Sequence, residues 1–265
     1  MIEVISVQSG VMACWLIQYC KGFSIIVRKS FMSDKIHEFD TFSEDYRIIH
    51  NKNLRFSGAE SDYFCEHKIL EIKKQEGSQS LKLLDFGCGD GLLSKYFLKH
   101  FPSGSYSGID VSPENIKQAL LRKQHNSSFN HYPGNELPFE DKMFDIAIAA
   151  NVFHHIDRKD HVKTIMEISR TLKPGGRFYI FEHNPVNPVT QWIVKTCIFD
   201  KKAKLLLPFH FKRYFHDSRM SILKIKYLLF FPRHGIFKRF FTFEEYLWKL
   251  PFGAQYLIIG QKDEG

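Results

Sequence analysis

Two aspartates and a run of glycines are the residues here best suited to holding a charged ligand. The glycines are Gly87, Gly89 and Gly91 in "LLDFGCGDGLLS" (83–94), and Asp85 stands just ahead of them. A glycine-rich turn between a strand and a helix offers backbone N–H groups to a ligand at the helix N-terminus. A dinucleotide fingerprint requires G-x-G-x-x-G, whereas this spacing is G-x-G-x-G, with Leu92 where the third glycine would fall. No Lys-Ser/Thr pair follows, so the turn is not a P-loop. A carboxylate at Asp85 would repel an incoming pyrophosphate and attract a cation. The next acid, Asp110 in "GIDVS", has the spacing of a carboxylate that accepts both hydroxyls of a ribose. Together these features favour a cationic adenosine ligand without phosphates. An NAD(P) oxidoreductase is the rival reading, and Leu92 argues against it.

Strand ends must position these residues. Apolar runs at "LKLLDF" (81–86), "SYSGIDV" (105–111), "MFDIAIAA" (143–150) and "GRFYIFE" (176–182) read as strands. Between them, "GLLSKYFLKHF", "SPENIKQALLRK" and "DRKDHVKTIMEISRTL" repeat apolar residues at three- and four-residue spacing, as helices do. Ser112-Pro113-Glu114 is a helix start, and "LKPGG" (172–176) stops a helix and turns into the next strand. This alternation predicts a parallel sheet with helices on both faces, with ligands at the carboxyl ends of its strands. Further on, 221–231 and 253–262 read as two more strands, separated by an aromatic, basic insertion.

"LLDFGCGDG", "GIDVS", "ELPFEDKMFDIAIAANVFHHI" and "LKPGGRFYI" resemble, in order and separation, the successive motifs of class I S-adenosylmethionine-dependent methyltransferases. The resemblance covers roughly residues 36–182 and is nearest to the small-molecule branch of ubiquinone- and menaquinone-biosynthesis-type enzymes. It implies an α/β, Rossmann-like, seven-stranded and mostly parallel sheet, with helices on both faces and an antiparallel C-terminal strand. It also implies S-adenosyl-L-methionine as cofactor. By the same resemblance, Asp85, Gly87, Cys88 and Gly89 receive the methionine moiety, Asp110 binds the ribose, and Val111 packs on adenine. The loop "GNELPF" (134–139) reaches the adenine amine through Asn135, which stands where an acid is common in the family, or through Glu136. Asn151 lies near the methionine end of the cofactor, and Tyr46 in "FSEDYR" serves as a lid contact.

Methyl transfer to a hydroxyl needs orientation and a base. At the ends of the fourth and fifth strands the chain offers His154 and His155 in "NVFHHI", and Glu182 and His183 in "FEHNPVNP". A histidine titrates near neutrality and suits this task, so these four are the candidate catalytic residues. "IAIAAN" carries no carboxylate at the fourth strand, which argues against metal-assisted O-methylation, and no metal ligand is assigned. The Asn/Asp-Pro-Pro-aromatic tetrapeptide of nucleic-acid base methylation is absent, which argues against a nucleic-acid partner.

The composition of the 265 residues, 44% apolar and 25% charged, is that of a globular chain. Its formal charge is +8, and from Lys195 to Arg239 the many basic residues meet only Asp200 and Asp217 as acids. Such a stretch favours anionic partners or is a solvated face. Phenylalanine is abundant, at 26 residues. The region 185–252 is read as substrate-side elaboration, with three fates for its aromatics: core and dimer interface, an apolar acceptor pocket, or contact with an anionic membrane surface. The five cysteines form no CxxC pair, and a reducing, cytoplasmic compartment, with or without membrane-peripheral contact, is expected. Residues 1–31 are read as an extension outside the fold, and 32–265 as one methyltransferase domain. The expected function is methylation of a small-molecule or lipid-linked acceptor at oxygen. An RNA-directed methyltransferase and a non-catalytic cofactor-binding protein are the alternatives.

Overall fold

The computed structural model describes residues 61–134, 136–197, 203–233 and 235–264; the 1–31 extension, Tyr46 and Asn135 lie outside them. The elements in chain order are α1 (Ser61–Glu76), β1 (Lys82–Phe86), α2 (Leu92–His100), β2 (Ser105–Asp110), α3 (Pro113–Leu121), β3 (Ser127–His131) and β4 (Phe144–Ala150). Then follow α4 (His161–Thr171), β5 (Leu172–His183), α5 (Pro188–Thr196), α6 (Pro208–Asp217), β6 (Met220–Leu228), α7 (Glu244–Leu247) and β7 (Gln255–Lys262). Short 3-10 turns occupy Phe153–His155, Arg158–Asp160 and Gly235–Phe243.

The seven strands form one sheet of order β3-β2-β1-β4-β5-β7-β6. β7 pairs antiparallel with both β5 and β6, and the remaining pairings are parallel. This is the Rossmann-like, mostly parallel sheet that the motifs imply. The chain steps outward from β1 to β3, then returns to lay β4 on the other side of β1. The order therefore reverses between β1 and β4, and such a reversal opens a crevice at the carboxyl ends of the strands.

The central strands are apolar on both faces because helices cover both. Leu83, Tyr106, Tyr179 and Phe181 share one core with Ile69 and Ile72 of α1 and Phe97 of α2. Leu84, Phe86, Ile109 and Phe178 share the other with Ile165 and Ile168 of α4 and Phe211 and Phe215 of α6. The helix starts follow local chemistry. Ser112 accepts the Asn115 N–H at 3.2 Å ahead of α3, and Asn187 accepts the Thr190 N–H at 2.9 Å ahead of α5, each with proline in the first turn.

Two elements carry no readable periodicity. β3 is an edge strand, "SSFNH", in which only Phe129 is buried, so it has no apolar face to advertise. α1 buries Lys68 and Glu71 beside Ile69 and Ile72, which breaks its apolar stripe. The strand expected at 221–231 ends earlier, at Leu228, because Leu229 turns to φ 63°.

The C-terminal strands are held by close packing against α6. A Cβ placed on Gly260 of β7 would lie 1.9 Å from the ring of Phe215, which is itself fully enclosed. Gly260→Ala is therefore expected to lower stability by about 1–3 kcal/mol. Urea unfolding reads this as a lower midpoint, and Phe215→Leu in the same protein should recover part of the loss. An unchanged midpoint for Gly260→Ala would contradict this packing.

Candidate functional site

The crevice is bounded on one side by the turn after β1. The Gly87 and Cys88 N–H groups donate to the Ile109 carbonyl at 2.8 and 2.9 Å, and the Gly89 N–H donates to Asp110 Oδ2 at 2.8 Å. The turn is thereby tied to the end of β2. Gly87 has φ 78° and faces Val152, whose Cγ2 would lie 2.5 Å from an added Cβ. Gly89, at φ 54°, would point a Cβ into open space. A left-handed backbone favours glycine at both positions. Behind the turn, Arg122 braces Asp90 with a 2.8 Å ion pair.

Asp85 is 2% exposed at the end of β1. Its Oδ2 accepts the Tyr106 hydroxyl, while its Oδ1 has no hydrogen-bond partner among the described residues. Burial, together with the Asp110 charge, pushes its pKa up to about 7, against the opposing effects of Tyr106 and Lys68. Asp110 is also buried, and burial raises its pKa. Its oxygens accept from the Gly89 and Ser112 N–H groups and from Asn115 Nδ2 at 2.8, 2.9 and 3.2 Å. Across the crevice, Asn151 follows β4 at φ 59°, and its N–H donates to the Phe181 carbonyl at 2.8 Å. The Asn151 Oδ1 is a second buried acceptor with no partner among the described residues.

The loop past β3 is pinned from α4. Glu167 accepts the Leu137 N–H at 3.2 Å, and Arg170 donates to the Leu137 and Phe139 carbonyls at 3.1 and 2.8 Å. Leu137 is buried and Glu136 is exposed. Val111 is half-buried at the end of β2, and Cys88 is buried beneath the turn.

The histidines gather at the ends of β4 and β5. Glu182 Oε1 accepts the Val152 and Phe153 N–H groups at 3.1 and 2.7 Å, and Oε2 lies 2.5 Å from His154 Nδ1. Both side chains of this pair are fully enclosed. Burial alone would raise the Glu182 carboxyl, but His154, His183 and the Phe153 N–H hold it below the ordinary carboxylate range. The half-buried rings of His155 and His183 lie 4.2 and 5.5 Å from that of His154. All four candidate catalytic residues are thus in one cluster, with His154 and Glu182 forming its enclosed part.

Two orphaned acceptors and a ribose-type carboxylate around one crevice fit a ligand that carries an ammonium group and sugar hydroxyls. A methyltransferase domain model matches residues 84–180. The fatty-acid O-methyltransferase of Mycolicibacterium smegmatis is 30% identical over 140 residues, covering 51% of this chain and 50% of that protein. The demethylmenaquinone methyltransferase of Chlorobaculum parvum is 35% identical over 169 residues, covering 63% and 66%. A solved SAM-dependent methyltransferase from Methanosarcina mazei shares the fold, with a TM-score of 0.53 at 20% identity over 73% of this chain and 98% of that one.

Residues 84–180 form a methyltransferase domain, and the chain is similar to S-adenosylmethionine-dependent methyltransferases of class I.

The chain spans about half the length of the fatty-acid relative it matches. The residues present fit S-adenosylmethionine: Asp85 Oδ1 could accept a hydrogen bond from its ammonium, Asp110 could accept from its ribose hydroxyls, and Asn151 Oδ1 is a further acceptor without a partner among the described residues. When bound, it supplies a methyl group on a sulfonium.

Sequence reasoning did not single out Tyr106, Asn115 or Lys68. Tyr106 and Asn115 carry no local signal, because each acts across the sheet or back along a helix turn. Lys68 has a faint one: a lysine in the buried phase of a helix.

Asp85 generates a prediction about pH. Its raised folded-state value means that the ligand-free protein holds an extra proton between the ordinary value of 3.8 and about 7, so its stability falls as pH rises through that window. Asp85→Asn removes this slope. Its ligand-free Tm should gain on that of the wild type as pH rises across the window, while affinity for S-adenosylhomocysteine drops about tenfold or more. Parallel melting curves for the two proteins at all pH values would refute the assignment.

Proposed function

We propose that this methyltransferase transfers a methyl group from S-adenosylmethionine to the oxygen of an apolar, lipid-like acceptor. The observation that carries the reading is the histidine cluster beside an apolar rim. His155 and His183 are the half-buried imidazoles of the cluster, backed by the enclosed His154–Glu182 pair. In this reading one of the two half-buried imidazoles accepts the acceptor's hydroxyl proton. His154 and Glu182 are positioning residues that hold the turn after β4. Relatives named for a fatty acid and for a menaquinone precursor support an apolar acceptor.

The rim lies next to His183. Asn184 Nδ2 donates to the Pro251 and Gly253 carbonyls at 3.0 and 2.8 Å, and Asn187 Nδ2 donates to the Phe252 carbonyl at 2.7 Å. These bonds lay the loop before β7 along the start of α5. Val186, Val189, Trp192, Leu250 and Phe252 are exposed on these two segments, and Lys195 and Lys249 are exposed near them. Aromatic and aliphatic side chains beside lysines suit a surface of anionic lipid, from which such an acceptor would be drawn. Among the described residues no helix is long and apolar enough to cross a membrane.

Incubation with methyl-labelled cofactor and separate pools of fatty acids, hydroquinones and RNA tests the acceptor class. Label is expected in the lipid-extractable pools; label in RNA alone, or in none, would overturn the reading. At least one of His155→Gln and His183→Gln should lower kcat about 100-fold at unchanged S-adenosylhomocysteine affinity. The surface contact is checked by sedimentation with phosphatidylglycerol vesicles. Trp192→Ser with Phe252→Ser should weaken binding roughly tenfold. Equal binding by the variant and the parent would remove the rim from the proposal.

A further inference from the structure

One buried charge in this fold has almost nothing to hold. Lys68 of α1 is 5% exposed, and its only hydrogen bond among the described residues runs back to the Phe64 carbonyl of its own helix, at 3.5 Å. No carboxylate lies within ion-pair distance of it among the described residues; Asp85 and Glu182 act on it only at longer range. Glu71, one turn further along, shows the contrast. It is 3% exposed and is met by Lys226 at 2.6 Å and Lys74 at 3.0 Å. A buried ammonium without an anionic partner is disfavoured by desolvation, and a methionine would fill a similar volume without that penalty. Lys68 therefore calls for an anionic group.

Its place in the fold says where that group comes from. The Lys68 ammonium lies 5.8 Å over the ring of Phe181, near the carboxyl end of β5, and α1 packs on the sheet face that carries Tyr106, the partner of Asp85. On that face Asp85 Oδ1 is an acceptor without a donor, and Lys68 is a donor set with one long bond. An orphaned carboxylate oxygen and an under-bonded ammonium at one end of one sheet face complement a group carrying both –NH3+ and –COO−. The amino-acid end of S-adenosylmethionine is such a group.

We infer that Lys68 binds the carboxylate of the cofactor, so that Asp85 and Lys68 together read its amino-acid zwitterion. The pairing discriminates the full cofactor from analogues that lack the carboxylate. It also accounts for a charge that desolvation otherwise disfavours, since burial pulls the Lys68 ammonium below its ordinary pKa in the ligand-free protein.

Titration calorimetry with S-adenosylmethionine, its decarboxylated analogue and 5′-methylthioadenosine tests this on the full chain. Wild type should bind the full cofactor about 30-fold more tightly than the decarboxylated analogue. Lys68→Met should lose that preference while binding 5′-methylthioadenosine, which has neither amine nor carboxylate, as wild type does. Lys68→Arg should keep most of the preference. A merely structural lysine would shift all three ligands together. A Lys68 that acts only by keeping Asp85 ionised would matter less above pH 8, whereas carboxylate pairing persists there. Equal affinity of wild type for the full and decarboxylated cofactors overturns the inference even if Lys68→Met does not fold. Failure of wild type to bind any of the three ligands would instead count against the cofactor assignment itself.

Discussion

The site depends on one set of hydrogen bonds: the clamp between the glycine turn and the end of β2. Three successive N–H groups, of Gly87, Cys88 and Gly89, are committed to the Ile109 carbonyl and the Asp110 carboxylate. Because the bonds cross between adjacent parallel strands, they hold the turn open at the point where strand order reverses. The Asp110 carboxylate that braces the turn is also the one to which the sequence motif assigns a ribose. A substitution there would disturb the frame and the ligand contact together.

Around this frame, the molecule pairs its buried charges selectively. Glu71 has two lysines, Glu182 has a histidine and two backbone N–H groups, and Arg170 with Glu167 secures the loop past β3. Among the described residues, Asp85 Oδ1 and Asn151 Oδ1 are buried without a hydrogen-bond partner, as are His161 Nδ1 and Arg233 Nε, and Lys68 has one long bond. Unmet buried polarity destabilises a fold unless a ligand completes it. Asp85, Asn151 and Lys68 stand near the carboxyl ends of β1, β4 and β5, where a ligand could complete them.

On the acceptor side the arrangement is different. Glu182 organises the turn after β4 from the end of β5, and this fixes where the imidazoles stand. The enclosed pair gives the cluster rigidity, and the half-buried rings give it access. The exposed apolar side chains near His183 lie on segments joined by Asn184 and Asn187, which link the start of α5 to the loop before β7. Chain regions 60 or more positions apart thus form one rim.

What the sequence determined by itself was whatever depends on local spacing. Strand–helix alternation set the sheet type, the G-x-G-x-G turn with Asp85 and Asp110 pointed to a cationic, ribose-bearing ligand, and Ser112-Pro113 set a helix start. These signals survive in one dimension because turn geometry, capping and periodicity act over a few residues. The edge strand β3 escaped notice because a strand paired on one side and wet on the other has no apolar pattern to repeat. Tertiary structure alone decided which of the titratable residues are enclosed and which are presented. His154 and His155 are neighbours in sequence, one enclosed and the other half-buried, and Lys68 reads as an ordinary helix lysine until α1 is laid on the sheet. Burial and pairing are properties of contacts between distant segments, so charge that is costly or reactive in the fold looks unexceptional along the chain.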